Sequence, residues 1–425
     1  MFELQKNATN VRTELIAGLT TYLTMVYIAF VNPTILADAG MDKGAVFVAT
    51  CLAAAFGSAF MGFYANYPIA LAPGMGLNAY FTYSVVKGLG VPWQTALGAV
   101  FLSGVLFFLV SVTPVREWVI NSISKSLKLA ISVGIGFFLA FIGLQAAGVI
   151  VDDPTTLVRL GDLRTPQVAI AVAAFILMAA LEACKVRGAI LIGIVAAYAA
   201  SLALGLSTFA GIVSLPPPIA PVLLQMDVAS AFDLGLGAIV FTFFFVVVFD
   251  NTGTLIGVAN AAGLMAPDGT LPRIGRALAV DSTATMVGAA LGTSTTTSYV
   301  ESAAGVNAGG RTGLVAVTVA ALFLATLFFA PLAGSIPASA TSPALVFVGC
   351  LMMTAAGGID YEEATEYVPA AVTILLMPLT YSIADGIAFG FIAYAGMKLL
   401  SGRYRELSAA VAGLAALFIL KFALL

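Results

Sequence analysis

Two carboxylates stand where a chain this apolar has little reason to carry them. Asp250 closes the run IVFTFFFVVVF (239–249), and Glu301 lies within TSTTTSYVESAAGVNAGG (293–310), between two long apolar segments. A charge at mid-membrane costs several kcal/mol, so such acids usually face a cavity, an ion or a substrate. A carboxylate in that setting can accept N–H bonds from a neutral ligand or carry a proton. Asp250 and Thr254 are four residues apart and share a helix face. A second constellation is Pro73-Gly74-Met75-Gly76-Leu77-Asn78-Ala79, where glycine permits close backbone approach and Asn78 offers both a donor and an acceptor. Asn32, ahead of Pro33, reads more readily as part of a structural kink than as a functional group.

Other readings of these residues are structural. A buried acid can be paired with a buried base, but no Lys or Arg sits at the depth of Asp250 in any span. Glu301 can be a simple helix N-cap, and Asn78 an interhelical hydrogen bond. Tyr80, Phe81, Tyr299 and Phe249 can stack on a planar ligand or merely pack. Glu182 beside Lys185, the acidic stretch Asp360, Glu362, Glu363 and Glu366, and Asp385 in a turn read as structural. So does Asp281, expected near Arg276 and the membrane surface. The chain shows no nucleophile–base pair, phosphate loop or metal-ligand spacing, so it is not read as an enzyme and needs no cofactor or metal. It contains no histidine, which removes any histidine proton relay.

The elements that must position these groups follow from composition. Of 425 residues, 61% are hydrophobic and 9% charged, against about 25% charged in soluble domains. Apolar runs of roughly 20 residues, enough to cross a hydrocarbon core as helix, succeed one another along the chain. The fold class is an all-α polytopic membrane protein. The net charge of −3 offers no basic patch for nucleic acid. Cys51, Cys184 and Cys350 have no disulfide or metal spacing. The N-terminus lacks signal-peptide order, so the first span is expected to be retained.

Fourteen spans are expected, followed by a hydrophobic helix at 407–424 that either crosses or lies in the interface. The third (69–87) and tenth (294–309) are poor helices and read as an extended piece leading into a short helix. Most of the 18 Lys and Arg residues, including Arg12, Arg116, Lys125, Arg187 and Arg403, fall on the side of the N-terminus. Lys43, Lys87, Arg159 and Arg164 fall on the other, so the N-terminus is placed in the cytoplasm. Seven spans followed by seven more must form inverted repeats, and paired broken segments in such repeats mark transporter sites. Half-helix N-termini, with free N–H groups, would face the ligand there.

At FDNTGTLIGVAN (249–260) and TTTSYVESAAGVNAGGRTG (295–313) the chain resembles the nucleobase transporters, most closely the AzgA-like permeases for adenine, guanine and hypoxanthine. VNPTIL in the first span and APGMGLNAYF in the third extend the resemblance over nearly the whole chain. It implies a core domain of 13–113 and 234–333 and a gate domain of 131–207 and 343–400, with 407–424 as an extra helix. It also implies proton-coupled purine import across the cytoplasmic membrane. The uracil and xanthine branch carries Glu at the position of Asp250, His at that of Thr254, and Asn after the glutamate where this chain has Ser302. Transport of uracil or xanthine is the alternative within the family. A channel or anion exchanger of the same broad fold is the alternative outside it, and two acids at the site argue against that.

A purine has paired donor and acceptor edges that must stay satisfied when it leaves water. The substrate-binding residues expected on this basis are Glu301, Asp250, Asn78, Thr254, Ala79, Tyr299, Ser302 and Phe249. Glu301 is the main ligand, and Asp250 and Glu301 are the proton-coupling groups. The partners are a purine nucleobase, the proton and the lipid bilayer, with room for a homodimer. Gly134, Gly136 and Gly349 are expected where core and gate slide against each other.

Overall fold

The computed structural model describes residues 2–113, 123–232, 237–265 and 271–424; Arg116 and residues 234–236, the start of the second core segment, lie outside them. The apolar runs become helices because a backbone in hydrocarbon must hydrogen-bond within its own segment. In the first half these are α1 (Val11–Met25), α2 (Ile28–Ala37), α3 (Lys43–Phe60), then strand β1 (Leu71–Pro73) and the short α4 (Met75–Ala79). A π-helical stretch, Tyr80–Gly88, continues α4. There follow α5 (Trp93–Ser111), α6 (Lys125–Ala146), a hairpin of β2 (Ile150–Asp153) and β3 (Leu157–Leu160), α7 (Pro166–Ala183) and α8 (Ala189–Ala203).

The second half repeats the order. It comprises α9 (Gly237–Ala261), α10 (Ile274–Leu291), strand β4 (Thr296–Ser298) with the short α11 (Ser302–Asn307), α12 (Gly313–Thr326), α13 (Ala338–Met353), α14 (Ala364–Leu379), α15 (Ile383–Leu400) and α16 (Ala409–Leu424). Among the described residues, 9 helical stretches are long and apolar enough to cross a membrane. The third and tenth spans are broken as the sequence predicts, each an extended piece followed by a short helix. The first span, read as one helix over 15–36, is in fact two. Between α1 and α2 the bonds tighten to three-residue steps, from Ala29 N–H to the Val26 carbonyl and from Phe30 N–H to the Tyr27 carbonyl. The β2–β3 hairpin was not anticipated, because its residues carry no hydropathy signal of a span.

The chain forms two compact units. One comprises Met1–Ser111 and Gly143–Phe347; the other comprises Val112–Ile142 and Val348–Leu425. In the second unit, Ala130, Ile359 and Ala370 form a small buried cluster. The buried Lys398 ammonium lies between Glu366 at 3.1 Å and Glu406 at 2.6 Å, and Arg403 pairs with Glu363. The glycines expected at a sliding contact serve instead inside this unit. A Cβ on Gly136 would lie 2.7 Å from the Gly349 carbonyl oxygen, and one on Gly134 would meet the Met377 sulfur. They let α6 approach the backbone of α13 and the Met377 side chain of α14, so they belong to the packing of one unit.

Helix α16 packs back along α15. Phe391 faces Phe418, and Phe389 stacks on Phe422 with centroids 5.0 Å apart. As one number falls the other rises, so α16 runs antiparallel to α15 and alongside it at least as far as Phe389. A helix lying flat in the interface could not keep that register. Prediction: in a background lacking Cys51, Cys184 and Cys350, Gly402→Cys and Ala423→Cys should react with an impermeant maleimide from opposite faces of the membrane. Reaction of both from one face would rule out the crossing.

Candidate functional site

The centre of the first unit is the pairing of the two broken spans. Strands β1 and β4 run antiparallel, with Leu71 opposite Ser298, Ala72 opposite Thr297 and Pro73 opposite Thr296. The ladder extends outward through Gly74 N–H to the Thr295 carbonyl (2.9 Å) and Tyr299 N–H to the Ala70 carbonyl (3.0 Å). A two-stranded ribbon has two outer edges, and in an apolar interior both must find partners. On the β1 side, the Ser58 hydroxyl accepts from Leu71 N–H at 2.9 Å and donates to the Leu71 carbonyl at 3.0 Å. On the β4 side, Ser298 N–H donates to Asn251 Oδ1 at 3.2 Å, and the Thr285 hydroxyl donates to the Thr296 carbonyl at 3.0 Å. Side chains of α3, α9 and α10 thus take the places of missing strands.

Glu301 lies at the turn from β4 into α11, where it makes no side-chain cap. Its Oε1 accepts instead from the Tyr27 hydroxyl at 2.6 Å. Tyr27 sits at the interruption between α1 and α2, so the unforeseen break in the first span brings a phenol to the carboxylate. A charge-assisted bond of this kind is about twice as strong as a neutral one.

Asp250 is carried by α9, which runs unbroken. It is half-buried, and its carboxylate has no hydrogen-bonding partner among the described residues. Its chain neighbour Asn251 accepts from Ser298 N–H, which sets Asp250 beside the β4 edge of the ribbon. Thr254, one turn on, is also half-buried. The side chain of Phe249 lies outside the described residues.

The remaining expected site residues divide in two. Asn78 is fully buried and donates to Asn32 Oδ1 at 2.6 Å, while its own Oδ1 has no partner. Asn32 in turn donates to the hydroxyls of Thr50 (2.8 Å) and Thr293 (2.9 Å). Asn32 is therefore the hub of a polar cluster joining α2, α3, α4 and the segment before β4, which is more than a kink beside Pro33. Ala79 is buried at the end of α4. Tyr299 and Ser302 are committed to the ribbon. The Tyr299 hydroxyl donates to the Pro73 carbonyl at 2.5 Å, and the Ser302 hydroxyl accepts from Ala70 N–H at 3.0 Å. Tyr80, directly after α4, lies edge to face with Phe243, centroids 5.1 Å apart.

One acid was misplaced by sequence reasoning. Asp281, expected near Arg276 at the surface, is fully buried on α10. Its Oδ1 accepts from the Ser298 hydroxyl at 2.8 Å, and its Oδ2 has no partner. Asn251, on the other side of Ser298, likewise keeps an unpartnered Nδ2. The signal that could have found Asp281 is its position eight residues into α10, too deep for a surface acid. Prediction: Asp281→Ala leaves the Ser298 hydroxyl without an acceptor in a dry interior, so it should destabilise the purified protein by about 1–3 kcal/mol, read as a lower melting temperature. Unchanged melting would show that the Ser298 bond contributes nothing.

A broken pair of spans meeting at a ribbon, with Asp250, Asp281 and Glu301 beside it, is the arrangement of a multi-pass membrane transporter. The fold is that of the transmembrane domain of a cyanobacterial bicarbonate transporter, BicA, at a TM-score of 0.65 and 16% identity over 88% of this chain and 97% of that one. The sequence pattern of the Permease family, the xanthine and uracil permease group, matches residues 12–389. The chain is 47% identical to the adenine permease AdeP of Escherichia coli strain K12, over 99% of its own length and 95% of that protein's. It is 46% identical to the guanine/hypoxanthine permease PbuO of Bacillus subtilis strain 168, over 100% of both. The chain belongs to this permease family, in its AzgA-like nucleobase branch, and its relatives are carriers, not enzymes.

Proposed function

We propose that this permease imports purine nucleobases by proton symport across the cytoplasmic membrane, with its N-terminus inside. The observation that carries the reading is that two acids flank the paired broken spans: Asp250 precedes Asn251, which accepts from Ser298 N–H of β4, and Glu301 stands at the turn that follows β4. Full-length similarity to permeases for adenine and for guanine and hypoxanthine supports those bases over uracil or xanthine. Glu301 accepts ring or exocyclic N–H groups of the base, while Tyr27 holds its Oε1 in place. Asp250, whose carboxylate has no hydrogen-bonding partner among the described residues, is the group that takes up a proton. Asn78 presents its unpartnered Oδ1 to a base edge, and Thr254 supports Asp250 from the next turn. Tyr299 and Ser302 act by holding the ribbon, and core and gate segments supply the moving parts.

The test of ligand contact is Glu301→Gln, which keeps size but turns an acceptor into a donor. It should weaken binding of adenine or guanine by roughly 1.5–3 kcal/mol, the range for hydrogen bonds to charged groups. Unchanged affinity in the folded variant would remove Glu301 from the site.

Coupling is tested separately. With no histidine in the chain, a carboxylate is the natural proton carrier, since burial disfavours its charged form. Asp250→Asn should abolish pH-gradient-driven accumulation of radiolabelled purine in proteoliposomes while leaving downhill exchange. If the variant still concentrates purine when the gradient is imposed, Asp250 is not the coupling group.

A further inference from the structure

Glu14 is a fully buried acid on the first helix, far along the chain from either proposed ligand-binding acid. The outward face of α1, with Val11, Leu15, Ile16 and Leu19 at 46–53% exposure, is apolar. Glu14 lies on the opposite, packed face, at the end of a row formed with Ala17, Gly18, Thr21 and Met25. That row carries α11. A Cβ on Gly305 would lie 2.1 Å from the Thr21 hydroxyl and 2.6 Å from the Ala17 carbonyl oxygen, so only glycine lets the two helices come this close.

Both oxygens of Glu14 are used. Oε1 accepts from the Thr9 hydroxyl (2.9 Å) and Arg311 N–H (2.9 Å); Oε2 accepts from Thr312 N–H (3.1 Å) and the Thr312 hydroxyl (2.6 Å). Three of the four donors belong to the turn that leaves α11. The Arg311 guanidinium then reaches back to the Val306 and Gly310 carbonyls at 2.8 and 2.7 Å, closing the end of α11. At the other end of α11 stands Glu301, held by Tyr27. The short helix is therefore pinned to α1 and α2 at both ends, by one carboxylate that receives and one that is received.

We propose that Glu14 is a positioning residue for Glu301. By fixing the 309–312 turn it sets where α11 lies along α1, and so where the Glu301 carboxylate meets the base. This rests on the reading of Glu301 as a ligand-binding group. A helix of six residues has too little hydrogen bonding of its own to hold position when one end is released.

The test is a double-mutant cycle on the purified full chain, with radiolabelled adenine and guanine as probes. Glu14→Gln replaces an acceptor with a donor amid four donors. It should raise Kd about tenfold when Glu301 is present and less than about twofold in the Glu301→Gln background, as expected when two positions act through one network. Thr312→Val removes only the hydroxyl and keeps both N–H donors; it should give a smaller rise, about threefold, that also vanishes with Glu301→Gln. It carries the test if Glu14→Gln fails to fold. Equal fold-changes in both backgrounds, or no change from either substitution, would overturn the proposal while leaving the role of Glu301 intact. No effect of Glu301→Gln alone would overturn both.

Discussion

A peptide group inside a membrane has no water to turn to, and the two broken spans are organised by that fact. Each unpaired N–H or C=O in hydrocarbon costs several kcal/mol, so an extended segment survives there only if every edge is met. Strands β1 and β4 meet each other on one side. On their outer sides, hydroxyl and amide groups of Ser58, Thr285 and Asn251 stand in for further strands. Tyr299 and Ser302 stitch the ends. Asn78 lies on the short helix that follows β1 and Glu301 at the turn that follows β4. The residues most readily imagined as ligand contacts and those that hold the backbone are thus close neighbours, and Tyr299 and Ser302 belong to the second group.

Four acids of the first unit sit in four different environments, and this separates their roles. Glu14 has both oxygens filled by donors from its own fold. Asp281 has one oxygen filled by Ser298. Glu301 has one filled by Tyr27 and stays half-exposed. Asp250 has none filled among the described residues. Unmet acceptor capacity rises from Glu14 to Asp250, and a ligand or proton is drawn where capacity is unmet.

The architecture was legible because it depends on composition and on breaks that glycine and proline announce. Pro73, Gly74 and the Thr/Ser run 293–298 predicted extended segments in spans three and ten. Asp250 and Glu301 were legible because acids are costly in apolar runs. What the sequence could not reveal was partnership. Nothing local tells that Tyr27 meets Glu301 across 274 residues or that Asn32 meets Thr293. Asp281 was misjudged because a nearby arginine suggested a surface, whereas helix α10 carries it inward. Glu14 escaped notice because at the edge of a first span an acid looks solvated; its burial comes from a turn far along the chain.

The partners in the ribbon are separated by more than half the chain, Leu71 from Ser298. Ribosomes deliver residues in order, so the third span must wait, with one edge of its extended piece unmatched, until the tenth emerges. Ser58, already present on α3, can occupy the other edge in the meantime. Assembly is therefore not a succession of finished halves. The backbone of β1 in the first repeat is completed only by β4 of the second. A protein truncated after its first seven spans would lack the strand that closes its own membrane-embedded edge, whatever the quality of its helices.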